Sequence, residues 1–325
     1  MTHRSTTPPH ADHMNAEKVQ VSFDVQVDHP VVLANGRQQS RVRFGVSMTV
    51  GGAVTTPTPD EWASIRVIAY DGGDPLPLDD DDVNDGWSSQ RRHRGYRFGE
   101  PGALSAPASP GVDAMPTPSA FTNIDLYVSA GEDQANMRLT IAFSFDSRDG
   151  WRYRTNGYAT SPMGEDIYYA QNDLDHHQVQ AAPAPQYQPG QITLNGQRQP
   201  LPIDDMVVTL SLPVPIRRID CDPPGMIHWR NQMGDAPCFT GFASAGDTAY
   251  QWMTPLPPSS TPLPRPNGTV RLATIVVCAR NDVPIADNPN MPRGPIALAV
   301  LDDYGTTSRF MVRLDDTDRG KLVVY

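Results

Sequence analysis

The strongest regularity in this chain is alternation of apolar and polar residues. Val19, Val21, Phe23, Val25 and Val27 fill every second position, and Val42, Phe44, Val46, Met48 and Val50 do the same. Successive side chains of a strand point to opposite faces, so each run predicts a strand with one face in a core and the other in water. Asn35-Gly36 between them is a turn signal. A clear hairpin follows: Met137, Leu139, Ile141, Phe143 and Phe145 alternate, Ser147-Arg148-Asp149-Gly150 turns the chain, and Trp151 and Tyr153 open the return strand. Ile124, Leu126 and Val128 supply a strand before it. The later chain repeats the style at Val208, Leu210 and Leu212, and again from Val270 to Cys278. Ile296, Leu298 and Val300 can meet Phe310, Val312 and Leu314 across Asp302-Asp303-Tyr304-Gly305, and Leu322, Val323 and Val324 form a last strand.

Helical signals are sparse. Thr58-Pro59-Asp60-Glu61 is a capping box with proline at the first helical position, which predicts one short helix before a strand at Ile65, Val67 and Ala69. Composition agrees. The chain has 5 Glu against 32 Asp and 2 Lys against 24 Arg, so good helix formers are replaced by a residue that favours turns and caps. With 33 Pro and 25 Gly, the expectation is an all-β protein: two or three antiparallel β-sandwich-like domains, long Pro/Gly-rich loops and one or two short helices.

At 325 residues the chain has room for two cores. Residues 1–17 are polar and read as a flexible arm. Residues 18–180 read as a β-sandwich domain with a long insertion at 71–118, where no strand is expected. AAPAPQYQPG at 181–190 reads as a Pro-rich linker, and 191–325 as a second β-rich domain. A repeat is suggested by two similar stretches, VVLANGRQQ at 31–39 and ITLNGQRQ at 192–199.

The segment VVLANGRQQSRVRFGVSMTVGG, a short apolar strand, a Gly turn and a long alternating strand, resembles the opening of bacterial immunoglobulin-like modules of the invasin and intimin type. The capped helix before Ile65 resembles the turn preceding a late strand in such sandwiches. The resemblance implies a module used for adhesion, spacing or assembly, and it brings no catalytic residues. The insertion at 71–118 departs from it.

Net charge of −11 argues against general nucleic-acid binding, which needs a basic face. No secretory signal or membrane span is read, so synthesis is expected in the cytoplasm, with release by lysis or a dedicated machine. Cys221, Cys238 and Cys278 form no C-x-x-C pair, and they read as isolated thiols, or as one bridge in an oxidising compartment.

Candidate chemistry gathers in the insertion. Asp79, Asp80, Asp81, Asp82 and Asp85 could offer oxygen ligands to Ca2+, although the EF-hand spacing fails at Val83 and a solvated acidic loop is the plainer reading. No other cofactor is expected. Trp87, Arg91, Arg92, Arg94, Tyr96 and Arg97 combine cations with aromatic rings and form the candidate partner surface, weighed against neutralisation by the acidic run beside them. Asp173, Asp175, His176 and His177 form a weaker metal candidate, and Tyr168-Tyr169 could stack on a sugar. Ser244-Ala245-Gly246 misses a nucleophile elbow because Phe242 stands where its first glycine belongs. No P-loop, dinucleotide fingerprint or zinc-protease motif occurs. The expected function is therefore a non-enzymatic structural or interaction protein of a bacterial surface, phage-like or toxin-type assembly. Its partners would be itself or other assembly proteins. The alternatives are a carbohydrate-binding module, or a β-rich hydrolase with its carboxylates on separate strands.

Overall fold

In the computed structural model of the chain, each of these alternating runs forms a strand over its described part; Val270 and Leu272 lie outside the described residues. The structure describes residues 19–78, 85–99, 101, 121–174, 176–199, 205–225, 227–228, 238–252, 273–279, 295–315 and 322–325. The expected arm at 1–17 lies outside them. The chain divides into two units, Met1–Ala184 and Pro185–Tyr325.

The first unit holds β1 (Val19–Asp28), β2 (Val31–Ala34), β3 (Ser40–Val50), β4 (Ala53–Thr55), α1 (Pro59–Ser64), β5 (Arg66–Ala69), β6 (Trp87–Gln90), β7 (Thr122–Ala130), β8 (Arg138–Asp146), β9 (Arg152–Arg154), β10 (Asn156–Thr160), β11 (Asp166–Asp173) and β12 (His177–Pro183). The twelve strands join in one hydrogen-bonded path, β1-β3-β7-β2-β12-β8-β9-β10-β11, with β4 on β3, β5 on β8 and β6 on β7. The path folds over on itself. Phe23 of β1 meets Phe145 of β8 edge-on at 6.2 Å, and Phe44 of β3 stacks on Phe143 of β8 at 4.6 Å, all four rings buried. Two layers thus share one core, with Val19, Val21 and Val25 on one side and Ile141 and Val179 on the other. Truncating one of these rings to alanine would cost about 3–5 kcal/mol.

The sheet is mixed rather than wholly antiparallel. β2 runs parallel to β12 from Val31↔Gln180 to Ala34↔Pro183, and parallel to β7 at Ala34↔Ala130. Val32, Leu33 and Ala34 are all buried, so β2 shows no alternation; a strand enclosed on both faces reads as a continuous apolar run. The pairing also corrects the linker: Ala181, Ala182 and Pro183 belong to β12, with Ala181 buried.

The insertion needs a second correction. β6 lies inside it and pairs with β7 from Trp87↔Ala130 to Gln90↔Tyr127, and Leu76 belongs to the core. β6 reads WSSQ, too polar for an apolar pattern to reveal. Part of 71–118 is therefore structural.

The second unit holds β13 (Thr193–Gln199), β14 (Asp205–Ser211), β15 (Ile216–Asp222), β16 (Ile227–His228), β17 (Cys238–Ala243), β18 (Ala273–Ala279), β19 (Ile296–Asp302), β20 (Thr307–Leu314) and β21 (Leu322–Val324). They form two antiparallel sheets, β13-β14-β18-β17-β16 and β15-β19-β20-β21. Phe242, Ala273 and Ile275 from the first pack in one core with Ile219, Leu298, Phe310 and Val312 from the second, which makes a two-layer sandwich. The expected hairpin is in register, with Leu298↔Phe310 and Ile296↔Val312. The suggested repeat does not extend to structure. Asn35-Gly36 makes a turn, whereas Asn195-Gly196 sits inside β13.

Candidate functional site

The Asn35-Gly36 turn positions the candidate partner segment. Asn35 Oδ1 accepts from the backbone N–H of Arg37 at 3.0 Å and of Gln38 at 2.9 Å, while Gly36 takes a φ of 69°, a conformation that favours glycine. The turn delivers Gln38 and Gln39, both buried, beneath residues 91–99. Gln38 Oε1 accepts from the Leu33 N–H at 2.5 Å, and its Nε2 donates to the carbonyls of Arg97 at 2.8 Å and Gly99 at 2.6 Å. Gln39 Nε2 donates to Gln90 Oε1 at 3.0 Å and to the Arg92 carbonyl at 3.1 Å, while its Oε1 accepts from the Arg94 N–H at 2.7 Å. Gln90 Nε2 continues the network to the hydroxyls of Ser88 at 2.8 Å and Ser129 at 3.0 Å. Buried polar groups carry a large penalty when unpaired, so a network this well connected fixes one conformation.

Aromatic packing adds a second restraint. His29 stacks on Phe98 at 4.9 Å, Phe98 on His93 at 4.6 Å, and His93 on Tyr127 at 5.4 Å. The segment is thus a shaped surface fixed to the sheet.

The predicted residues divide by role. Trp87 is half-buried in β6 and packs on the core. Arg91 Nη2 donates to the carbonyls of Trp62, Ala63 and Ile65 at 3.3, 3.1 and 3.0 Å, where α1 ends; a cation there also meets the negative end of the helix. Arg94 donates to the Gly36 carbonyl at 2.5 Å, and the Tyr96 carbonyl bonds His93 Nε2 at 3.0 Å. Arg92 and Arg97 are exposed, with their backbone carbonyls held by Gln39 and Gln38. Asp85 is exposed, and Asp79, Asp80, Asp81 and Asp82 lie outside the described residues. Among the described residues, no three His, Cys, Asp or Glu side chains gather as metal ligands.

Other candidates find structural partners. Ser244 Oγ accepts from the Ile219 N–H at 3.1 Å and donates to its carbonyl at 3.3 Å, tying the loop after β17 to β15. Cys221 is half-buried, and burial pushes its thiol up, away from the reactive thiolate. Asp175 lies outside the described residues. Tyr168 and Tyr169 lie within β11, not in a loop.

Sequence reasoning missed Gln38, Gln39, Ser88 and Ser129, since buried polar residues carry no periodic signal. It named Asp173 with His176, and Tyr168 apart from them, but did not bring them together with Tyr70. Tyr70 donates its hydroxyl to Asp173 Oδ1, and Tyr168 donates to Oδ2 at 3.0 Å. Burial first, and then Asp173, push the Tyr70 phenol up; its bond to Asp173 does the same for Tyr168.

No family model matches the chain, and no curated protein matches it. Among solved structures, the collagen binding domain of Erysipelothrix rhusiopathiae surface protein RspB aligns with 95% of this chain and 93% of that one, at 11% identity and a TM-score of 0.18. A score of that size carries no argument about shared fold or ligand. Among the described residues, no helix is long and apolar enough to cross a membrane.

Proposed function

We propose that this chain is a β-rich interaction protein that works by presenting a surface rather than by catalysis. Its working surface is the segment 85–99, with the exposed Arg92 and Arg97 as the contacting cations. One observation carries the reading. Gln38 and Gln39, 0% and 1% exposed, hold this segment from below through five of their six side-chain hydrogen bonds, four to its backbone and one to the Gln90 side chain. A surface fixed in advance loses little entropy when a partner binds, and arginine is enriched at the anchors of protein interfaces. Recognition on a loop held by a rigid scaffold is the common arrangement. The first partner is a second copy of the chain, whose net charge of −11 offers carboxylates to these arginines. The setting is a bacterial surface, phage-like or toxin-type assembly, and the segment resembling invasin-type modules is what supports it.

Sedimentation velocity on the full chain tests this, across a hundredfold range of concentration. The wild type should associate with rising concentration, and the double variant Arg92→Glu, Arg97→Glu should stay monomeric with an unchanged melting temperature. A wild type that stays monomeric throughout, or a variant that associates equally well, overturns the reading.

A further inference from the structure

A second surface stands on the hairpin of β10 and β11, where β11 is the last strand of its sheet. Tyr158 lies opposite Tyr168, and Asn156 opposite Asp173, with an irregularity in register between Asn156 and Tyr158. The residue between them is Gly157, whose φ is 85°; a Cβ there would come within 2.5 Å of Tyr168 Cε2. Glycine therefore lets the Tyr168 ring cross the strand toward Asp173. The Tyr158 and Tyr168 rings meet edge to face at 5.3 Å and remain 43% and 54% exposed. Tyr70, packed on His176 at 4.3 Å, closes the other side.

The hydrogen-bond inventory of this cluster is one-sided. Both Tyr70 and Tyr168 commit their single hydroxyl proton to Asp173, so the three groups offer only lone pairs. Asn156 is 7% exposed; its Nδ2 donates to the Tyr70 carbonyl at 2.8 Å, and its Oδ1 has no partner among the described residues. Arg154, the near cation, is occupied by Asp166 and Thr160. An acceptor-rich surface with a carboxylate and exposed aromatic faces suits a ligand that is both a donor and a cation.

We propose that Tyr70, Tyr158, Tyr168 and Asp173 bind a guanidinium or ammonium group supplied by an arginine or lysine side chain of a partner polypeptide. The ring faces attract the charge, and Asp173 with the two phenol oxygens receives its N–H groups. The polypeptide source follows from the place of the cluster: the outer edge of β11 pairs with no other strand among the described residues, so an extended segment can lie along it while its side chain enters the cluster.

The test is calorimetric titration of the full chain with a short acetylated Gly-Arg-Gly-Arg-Gly amide. The arginine peptide should bind, and its citrulline counterpart, which keeps the shape but not the charge, should bind at least tenfold more weakly. Tyr158→Leu and Asp173→Asn should each weaken binding at least tenfold, whereas Asp133→Asn, an exposed carboxylate on the 3-10 turn Glu132–Gln134, should leave it unchanged. Tyr158 is exposed, so its variant keeps the test valid where Asp173→Asn disturbs folding. Equal binding of the citrulline peptide, an equal loss with Asp133→Asn, no binding at all, or binding of a methyl glycoside in place of the peptide would overturn the proposal. Agmatine bound as tightly as the peptide would overturn the polypeptide source.

Discussion

Single residues set the local architecture here through buried polar contacts more than through apolar ones. Gln39 makes three hydrogen bonds from a buried position. Gln39→Ala would leave the Arg94 N–H, the Arg92 carbonyl and Gln90 Oε1 without that partner. We expect a loss of about 2–4 kcal/mol in urea unfolding, together with faster proteolysis at 91–97. Glu61 is a sharper case. It is 3% exposed and accepts from the Thr58 N–H at 2.6 Å, from the Arg148 N–H at 2.8 Å and from the Arg148 guanidinium at 2.8 and 3.0 Å. Burial alone would raise its carboxyl; Arg148 and the backbone N–H groups outweigh burial and hold it at about 2. The folded carboxyl thus titrates below its unfolded value of 4.5, so its contribution is whole above that pH and disappears as pH falls toward about 2. Glu61→Gln should cost on the order of 2–3 kcal/mol at pH 7 and flatten the stability profile in that acid window, measured by urea midpoints.

Elements show how far the pattern of the chain could be read and where reading stopped. β1, β3, β19 and β20 follow alternation because each has one face in a core, β8 alternates in sequence but is buried on both faces from Ile141 to Phe145, and Thr58 caps α1 as the capping box implies. β1 and β21 end their sheets. β2 escaped orientation because a strand buried on both faces has no period, and β6 escaped notice because its Ser88, Ser89 and Gln90 are polar yet buried. Of the candidate site, the arginines were legible as residue types. Their roles were not: Arg91 ties to the end of α1 through contacts some 26–29 residues away in sequence. Arg91→Ala should therefore lower stability by about 1–2 kcal/mol, measured by thermal melts. The β19–β20 hairpin carries its own titration. Asp302 is fully buried at the turn, with Oδ1 accepting from the N–H groups of Tyr304 and Thr306, each at 2.9 Å, and Oδ2 without a partner among the described residues. Burial raises its carboxyl to about 6 against the pull of those two bonds. A raised carboxyl stabilises the fold most below its unfolded value of 3.8, and that stability is lost as pH rises to about 6. Asp302→Asn should remove this decline, read as urea midpoints from pH 4 to 7.

At the scale of the whole molecule, two sandwich-type units each have their own core. In the first unit the proposed binding surface is the segment fixed by Gln38 and Gln39, which has to be rigid before it binds and covered afterwards. Hydrogen exchange on the full chain at low and high protein concentration tests both halves at once. At low concentration the Arg94 amide, bonded to buried Gln39, and the β6 amides paired with β7 should already exchange slowly. At high concentration, residues 91–97 should gain further protection, and Arg92→Glu with Arg97→Glu should abolish the gain. Fast exchange of Arg94 at low concentration, or protection of 91–97 that is the same at both concentrations, would contradict the account.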